Sequence, residues 1–369
     1  MREALRLARR ERGRTHPNPA VGAVVVSGGA VVGRGFHRGP GTPHAEVEAL
    51  REAGSRARGA RLYVTLEPCR HSGRTPPCTE AIQSSGVARV TAAIRDPNPQ
   101  AGGGADVLTR QGIPTDVGDG ASEALEINLP FFSWMVRRRP WITMKEALSV
   151  DGRVATRSGE SRYLTGQQAR RHVHRLRGRV DAIVVGSGTA IADDPSLNVR
   201  GIAGGRDPVR VVLDTRGRLL PTARMLQTGS PSPTLVYTAS ETPVTFERSL
   251  YQAGAEVVRV NTLGGHVDLR EVVADLGERG LLSLVVEGGP TVHGAFLAAG
   301  LYDSLQLYWA PLLLGGEAVP SVAGAPLDAL ADAWHLTRPR VRRLGVDVLY
   351  EAYLATSWEE MKTRCLPAS

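Results

Sequence analysis

The chain has 369 residues, more than one hydrophobic core commonly serves, so two domains are expected. Its formal charge is +8, from 45 basic and 37 acidic side chains, and nearly all the basic ones are arginine, Lys145 and Lys362 being the two lysines. Aromatic residues are 5%, thin for a base-stacking platform; three cysteines cannot build a disulfide framework; no apolar run reaches the roughly 20 residues of a membrane span. The arginine excess fits either the base composition of a GC-rich genome or a phosphorylated small substrate, which the planar guanidinium suits. The arginine-rich first 14 residues lack the apolar stretch of a secretory signal, so a cytoplasmic protein is expected.

Residues 20–26 and 30–35 are short apolar runs divided by Ser27-Gly28-Gly29, the pattern of a hairpin. Residues 45–53 have helical spacing, 62–66 read as a buried strand, 79–85 as a helix, 87–94 as a strand and 105–111 as a helix closed by Gly112. This alternation predicts an α/β layered domain. After a helix at 121–136 comes Arg137-Arg138-Arg139-Pro140, which places the domain boundary there: residues 1–139, then 140–356, then a peripheral tail, 357–369. In the second half strands are expected at 182–185, 209–213, 234–237, 256–260, 281–286, 304–310 and 347–354, with helices at 166–177, 268–277 and 291–299.

Three residues in the first domain have the character of a metal site. His44-Ala45-Glu46 opens a helix, Cys69 follows Pro68 after a strand, and Cys78 follows Pro76-Pro77 at the start of the next helix. One histidine and two cysteines leave the fourth zinc position open for water, whose pKa zinc lowers to around 7. A cysteine at a helix N-terminus is biased toward thiolate. Spacing alone permits either Glu46 or Glu48 as the acid–base partner; the zinc-deaminase pattern H-x-E followed by Pro-Cys selects Glu46.

In the second half, a strand runs into Gly186-Ser187-Gly188-Thr189, and another into Glu287-Gly288-Gly289-Pro290-Thr291 before a helix. Ile191 stands where a G-x-G-x-x-G motif needs its third glycine, so the first turn alone does not distinguish a phosphate site from a tight turn. Two such turns at neighbouring strand ends suggest a dinucleotide cleft.

Taken together, these residues resemble the bacterial bifunctional riboflavin-biosynthesis deaminase–reductases, from about residue 3 to about residue 355. The shared motifs are His16-Pro17-Asn18-Pro19, His44-Ala45-Glu46-Val47, Leu66-Glu67-Pro68-Cys69, Gly73-Arg74-Thr75-Pro76-Pro77-Cys78, Arg95-Asp96-Pro97-Asn98-Pro99 and Lys145 through Arg153. The resemblance implies a cytidine-deaminase-like three-layer domain followed by a dihydrofolate-reductase-like α/β domain. It implies a zinc-assisted deamination of 2,5-diamino-6-(5-phosphoribosylamino)pyrimidin-4-one, with Glu46 as proton shuttle, then an NADPH-dependent reduction of the ribosyl group to ribityl. His44, Cys69 and Cys78 would hold Zn2+. Asn18, His37, His71, Arg74, Asp96 and Asn98 would line the pyrimidine and phosphate pocket. Ala147, Tyr163, Thr189, Asp193, Thr215 and the run Gly289, Pro290, Thr291, Val292, His293, Gly294 and Ala295 would contact NADPH. Ser161, Arg177, Leu197, Arg200 and Glu287 would hold the second substrate, and Lys145 is a candidate contact near its ribose.

Several positions depart from the family pattern: Arg70 follows Cys69 where a small residue is common, Glu146 stands in an apolar or small position, and Tyr163 replaces a frequent tryptophan. The partner expected is a phosphoribosylated pyrimidine, with no nucleic acid, no membrane, and assembly of like chains through the reductase domain. Two other functions fit parts of the pattern: a homologue redirected to a related pyrimidine or with one site inactive, and a nucleic-acid base deaminase. A complete second domain argues against the latter.

Overall fold

The structure, a computed structural model, describes residues 1–72 and 76–366. Contacts divide the chain into two units: Met1–Arg138 together with the chain from Glu359 onward, and Arg139–Trp358.

The first unit contains α1 (Arg2–Glu11), β1 (Gly22–Ser27), β2 (Ala30–Phe36), α2 (Ala45–Ala53), β3 (Arg61–Val64), α3 (Cys78–Ser85), β4 (Arg89–Ala92), α4 (Gly104–Arg110), β5 (Thr115–Val117), α5 (Ala121–Ile127) and α6 (Leu129–Arg137). Its sheet has the order β2-β1-β3-β4-β5; β1 runs antiparallel to β2 and β3, while β3, β4 and β5 are parallel. Glycines let helices lie directly on this sheet. A Cβ on Gly22 would meet Ala4 O of α1 at 2.1 Å, and one on Gly35 would meet Ala45 O of α2 at 2.0 Å. Gly22 pairs with Phe36 and Gly35 with Ala23, so the two glycines face opposite sides of the pleat and the helices form two outer layers. The α2 layer carries His44 and Glu46 to the site.

The expected helix at 121–136 is two helices broken at Asn128. The side chain of Asn128 accepts from Ala20 N–H at 2.7 Å and donates to Ala20 O at 2.9 Å, and Pro130 opens the next helix. Buried residues keep a helix-like spacing across the break (Ala121, Ala124, Leu125, Asn128, Phe132), which is why the sequence pattern misses it.

The second unit contains β6 (Trp141–Ser149), β7 (Arg153–Ala155), α7 (Gln167–Arg177), β8 (Ala182–Gly186), α8 (Ser187–Asp193), β9 (Val209–Leu213), β10 (Thr234–Ala239), α9 (Val244–Gln252), β11 (Ala255–Val260), β12 (Thr262–Leu263), β13 (His266–Val267), α10 (Leu269–Glu278), β14 (Ser283–Val286), α11 (Pro290–Ala298), β15 (Ser304–Ala310), β16 (Val319–Pro320), β17 (Leu336–Leu344) and β18 (Asp347–Leu354); α12 (Ala355–Cys365) starts in this unit, and its residues from Glu359 are grouped with the first. The main sheet has the order β11-β10-β9-β8-β14-β6-β15-β18-β17. The strands from β11 through β15 in that order are mutually parallel, and β18 and β17 close the edge antiparallel. Alternate residues of β8 enter opposite cores: Ala182 and Val184 join Met144, Val286 and Phe296, whereas Ile183 and Val185 join Val212, Val236 and Leu250. A sheet buried on both faces in this way presents its ligand crevice at the carboxyl ends of its strands.

The unit starts at an electrostatic anchor. Buried Asp303 receives the Arg139 guanidinium at 2.5 Å and the Ile142 N–H at 2.8 Å. The tail, expected to be peripheral, is helical and packed, with Trp358 3% and Met361 0% exposed. Its amphipathic spacing is short and interrupted by charges, so it reads weakly in sequence. Among the described residues no helix is long and apolar enough to cross a membrane.

Candidate active sites

His44 caps α2 from an extended backbone (φ −72°, ψ 160°), outside helical geometry, and Glu46 follows inside the first turn. Cys69 lies beyond the end of β3, and Cys78 is the first residue of α3. His44 Nδ1 is 3.1 Å from Cys78 Sγ and 3.6 Å from Cys69 Sγ, and all three donor atoms fall within 4.8 Å of one another. Two sulfurs and one imidazole nitrogen at this separation match a tetrahedral zinc with one position left for water. The Cys78 N–H also points at Cys69 Sγ, 3.4 Å away. Hydrogen bonding from Cys78 pulls the Cys69 thiol well below its usual range against the effect of burial, with His44 contributing, while the Cys78 thiol is pushed up by Cys69 and by burial. The thiols therefore share their protons unequally, one of them already poised as a metal-binding thiolate.

Glu46 is 4% exposed, and burial is the main cause that raises its carboxyl to about 7. His37 packs edge-on against His44 with ring centroids 5.4 Å apart. The Asn18 amide nitrogen lies 3.0 Å from His37 Nε2 and Pro43 O lies 3.3 Å from Nδ1. With the amide donating, Nε2 accepts and Nδ1–H donates to the carbonyl, fixing a neutral tautomer; burial lowers the His37 pKa in the same sense.

Asp96 and Asn98 belong to the loop after β4. Asp96 is raised to about 7, first by burial, against the lowering effect of the Asn98 N–H bond and with the charges of Glu67, Cys69 and Glu46 adding to it. It also accepts from Asn98 N–H at 2.9 Å, and Asn98 Oδ1 accepts from Gln100 N–H at 3.1 Å, so both shape their own turn. His71 is exposed just beyond Cys69. Arg74 lies outside the described residues. Arg70 donates to Pro99 O at 3.3 Å and packs on that same loop.

The sequence reading gave Glu67 no role. Its buried carboxylate accepts from Asp96 N–H at 3.1 Å and from Ala105 N–H, in the first turn of α4, at 2.9 Å, two residues before ligand Cys69. An acid beside a Pro-Cys pair at a buried strand end was the available signal, because a buried carboxylate requires partners.

At the carboxyl ends of β6, β14, β8 and β9 is a cavity of about 1140 Å3. It gathers Lys145, Ala147, Ser161, Tyr163, Arg177, Thr189, Asp193, Leu197, Arg200, Thr215 and Glu287, with Gly289, Pro290, Thr291, Val292 and Ala295. The two glycine turns touch: Gly186 N–H donates to Gly288 O at 2.9 Å. Glu287 takes a bidentate grip from Arg177 at 2.9 and 2.7 Å, and Lys145 Nζ is 3.5 Å away. Burial would raise the Glu287 carboxyl, but Arg177 and then Lys145 outweigh it and hold the group at about 2. Ser161 donates to Asp193 at 3.0 Å, and the Arg170 guanidinium lies 4.7 Å over the exposed Tyr163 ring.

His293 and Gly294 depart from expectation, since neither lines the cavity. Helix α11 turns them to its inner side. Gly294 is pressed so closely on Ala323 that a Cβ would sit 1.8 Å from its carbonyl oxygen. His293 is fully buried, with Nε2 2.7 Å from Glu146 Oε2 and Nδ1 2.6 Å from the Tyr302 hydroxyl. Glu146 follows Ile142 and Met144 on one face of β6, an acid in a core register, and His293 with Tyr302 is the polar company that makes this tolerable.

Residues 1–94 match the family model of the cytidine and deoxycytidylate deaminase zinc-binding region, and residues 140–350 match that of the RibD C-terminal domain. Fold, site and matches define a zinc-binding deaminase domain joined in one chain to a reductase domain. The chain is 42% identical to riboflavin biosynthesis protein RibD of Bacillus amyloliquefaciens, over 94% of each chain, and 42% identical to RibD of Escherichia coli K12, over 94% of this chain and 96% of that protein. Among solved structures, Acinetobacter baumannii RibD (form 1) superposes with a TM-score of 0.85 at 36% identity, covering 95% of this chain and 97% of that one. A Thermotoga maritima diaminohydroxyphosphoribosylaminopyrimidine deaminase/5-amino-6-(5-phosphoribosylamino)uracil reductase superposes with a TM-score of 0.84 at 32% identity, covering 96% and 97%. The chain belongs to the RibD family, the bifunctional deaminase–reductases of riboflavin biosynthesis. The architecture expected from the sequence, a cytidine-deaminase-like domain followed by a dihydrofolate-reductase-like one, is the family's.

Proposed function

We propose that the first site deaminates 2,5-diamino-6-(5-phosphoribosylamino)pyrimidin-4-one and that the second reduces the ribosyl group of the product to ribityl with NADPH. The observation that carries this reading is the convergence of His44, Cys69 and Cys78 beside buried Glu46. Zinc held there supplies Lewis acidity and an acidified water. Glu46 would accept a proton from the attacking water and deliver it to the departing ammonia, a role that suits a carboxyl sequestered from solvent. Neutral His37 and Asn18, together with Asp96, present hydrogen-bonding edges to the pyrimidine; His71, Asn98 and Arg74 we assign to the same substrate.

In the second cavity NADPH, when bound, supplies hydride. The protein's part is alignment: hydride transfer gains from holding donor and acceptor in register. The glycine turn 288–289 and the first turn of α11 provide N–H groups for phosphates, while Arg177, Arg200, Ser161, Leu197, Glu287 and Lys145 hold the sugar end of the substrate. We further read the protein as cytoplasmic, as having no nucleic-acid partner, consistent with its few aromatics, and as assembling through its reductase domains, consistent with the resemblance above.

The test follows ammonia release and NADPH oxidation separately on the diaminopyrimidine phosphoriboside. One ammonia and one oxidised NADPH per substrate molecule are expected. Ammonia without any oxidation, or neither output, would overturn the two-step reading.

A further inference from the structure

The segment that follows α8 carries Leu197 and Arg200 to the cavity. Asp194 has φ 39° and Leu197 φ 51°, left-handed conformations that a residue with a Cβ keeps only when its surroundings over-determine them. Leu197 is fixed by burial among Ile183, Val185 and Val212. Asp194 Oδ1 accepts from Arg224 N–H at 2.8 Å, and Asp207 Oδ1 accepts from Val199 N–H at 2.7 Å. A further restraint comes from α7. Arg177 Nη1 donates to Asn198 O at 3.4 Å, and His174 Nδ1 accepts from Arg200 N–H at 3.2 Å. Residues three apart share one face of a helix, so His174 and Arg177 clasp the 198–200 backbone side by side.

Arg177 lines the cavity and pairs with Glu287, whereas half-buried His174 does not line it. What His174 touches is the backbone of Arg200. The guanidinium of Arg200 stands at the cavity with no hydrogen-bond or ion-pair partner among the described residues. An imidazole that accepts at Nδ1 is neutral, with its proton on Nε2. The surroundings favour that form: burial lowers the His174 pKa first, the charges of Arg177 and Arg200 lower it further, and the Asn198 backbone and Glu287 oppose them. A protonated ring would set an N–H against the Arg200 N–H and a cation beside Arg177 and Arg200. The contact is therefore intact at neutral pH and is lost as pH falls through the lowered histidine pKa.

We propose that His174 is a positioning residue for the reduction: as a neutral imidazole it holds Leu197 and Arg200 against the substrate, and on protonation it releases that segment. The inference rests on reading this cavity as the reductase site. The test is steady-state NADPH oxidation by the full-length protein on the deaminated substrate, from about pH 5.5 to about pH 8. A guanidinium suits the substrate phosphate, whose charge is the same before and during hydride transfer, so the effect falls on binding. His174→Ala should raise KM about three- to tenfold, the size of one hydrogen bond, and change kcat less than about twofold. His174→Gln offers the same N–H an oxygen that does not titrate, and should bring KM within about twofold of wild type at about pH 8. The ratio of wild-type KM to that of His174→Gln should then rise at least about threefold toward about pH 5.5; titration of the substrate phosphate cancels in this ratio. Both replacements are helix formers at a half-buried position, so the variants fold, and ammonia release by each should match wild type. An unchanged KM in His174→Ala, a loss carried by kcat alone, no recovery in His174→Gln, or a KM ratio that does not vary with pH overturns this inference alone. Absence of NADPH oxidation by the wild type overturns the reading of the cavity as well.

Discussion

Glu46→Gln is expected to abolish ammonia release while zinc content and reduction of an already deaminated substrate stay at wild-type levels. The amide matches the carboxyl in size and keeps a hydrogen-bonding oxygen, so the first turn of α2 and the His44 ligand two residues earlier are undisturbed. It cannot accept a proton from water or deliver one to ammonia. General acid–base catalysis by a positioned group is worth about 10²- to 10⁴-fold, and here one residue serves both transfers, so the loss belongs at the upper end. Ammonia by an enzyme-coupled assay, zinc by elemental analysis and dinucleotide oxidation on the deaminated substrate separate the outcomes. A parallel fall in both activities would mean that the sites do not work independently. Loss of zinc would mean that Glu46 supports the metal rather than the proton transfers.

Glu287→Ala is expected to destroy the second activity and destabilise the unit that holds it, leaving deamination intact. Glu287 neutralises Arg177 and Lys145, and all three are largely withdrawn from solvent. Removing one partner of such a buried network strands the others, at a cost of about 3–5 kcal/mol. The depressed Glu287 carboxyl has the same origin: it remains ionised because two cations surround it. Thermal unfolding monitored with NADPH oxidation should show both effects. Glu287→Gln, which keeps the volume, separates them: it should recover much of the stability and little of the reduction. Wild-type reduction in either variant would remove Glu287 from the substrate end of the cavity.

Much of this was legible in sequence because the chemistry-bearing residues sit at junctions with local signals. His44, Cys69 and Cys78 each mark a strand end or helix start next to proline, and both glycine turns follow apolar strands. The parallel core was readable from runs such as Ala182–Gly186, buried on both faces. What escaped depends on distant partners. Glu146 looks misplaced until His293 and Tyr302, far along the chain, come beneath it. His293 and Gly294 were expected at the cofactor because they stand in a contiguous motif, but helix α11 turns both of them, with Phe296, to its inner side. Buried Asp214 follows β9 and accepts from Arg218 N–H and Leu219 N–H. Its orientation is set by a turn that folds back on it, and side-chain direction at a strand end has no signature in periodicity. The break at Asn128 likewise depends on Ala20, more than a hundred positions earlier.

The order of the two reactions tests the central claim most directly. With NADPH withheld, mass spectrometry of the reaction on the diaminopyrimidine phosphoriboside should show one product, in which an amine has been replaced by oxygen and the sugar is still ribosyl. Adding NADPH should then convert it to the species carrying two more hydrogens. A reduced sugar that still bears the amine, formed when NADPH is present from the start, would contradict the assignment of the zinc-binding site to the first step.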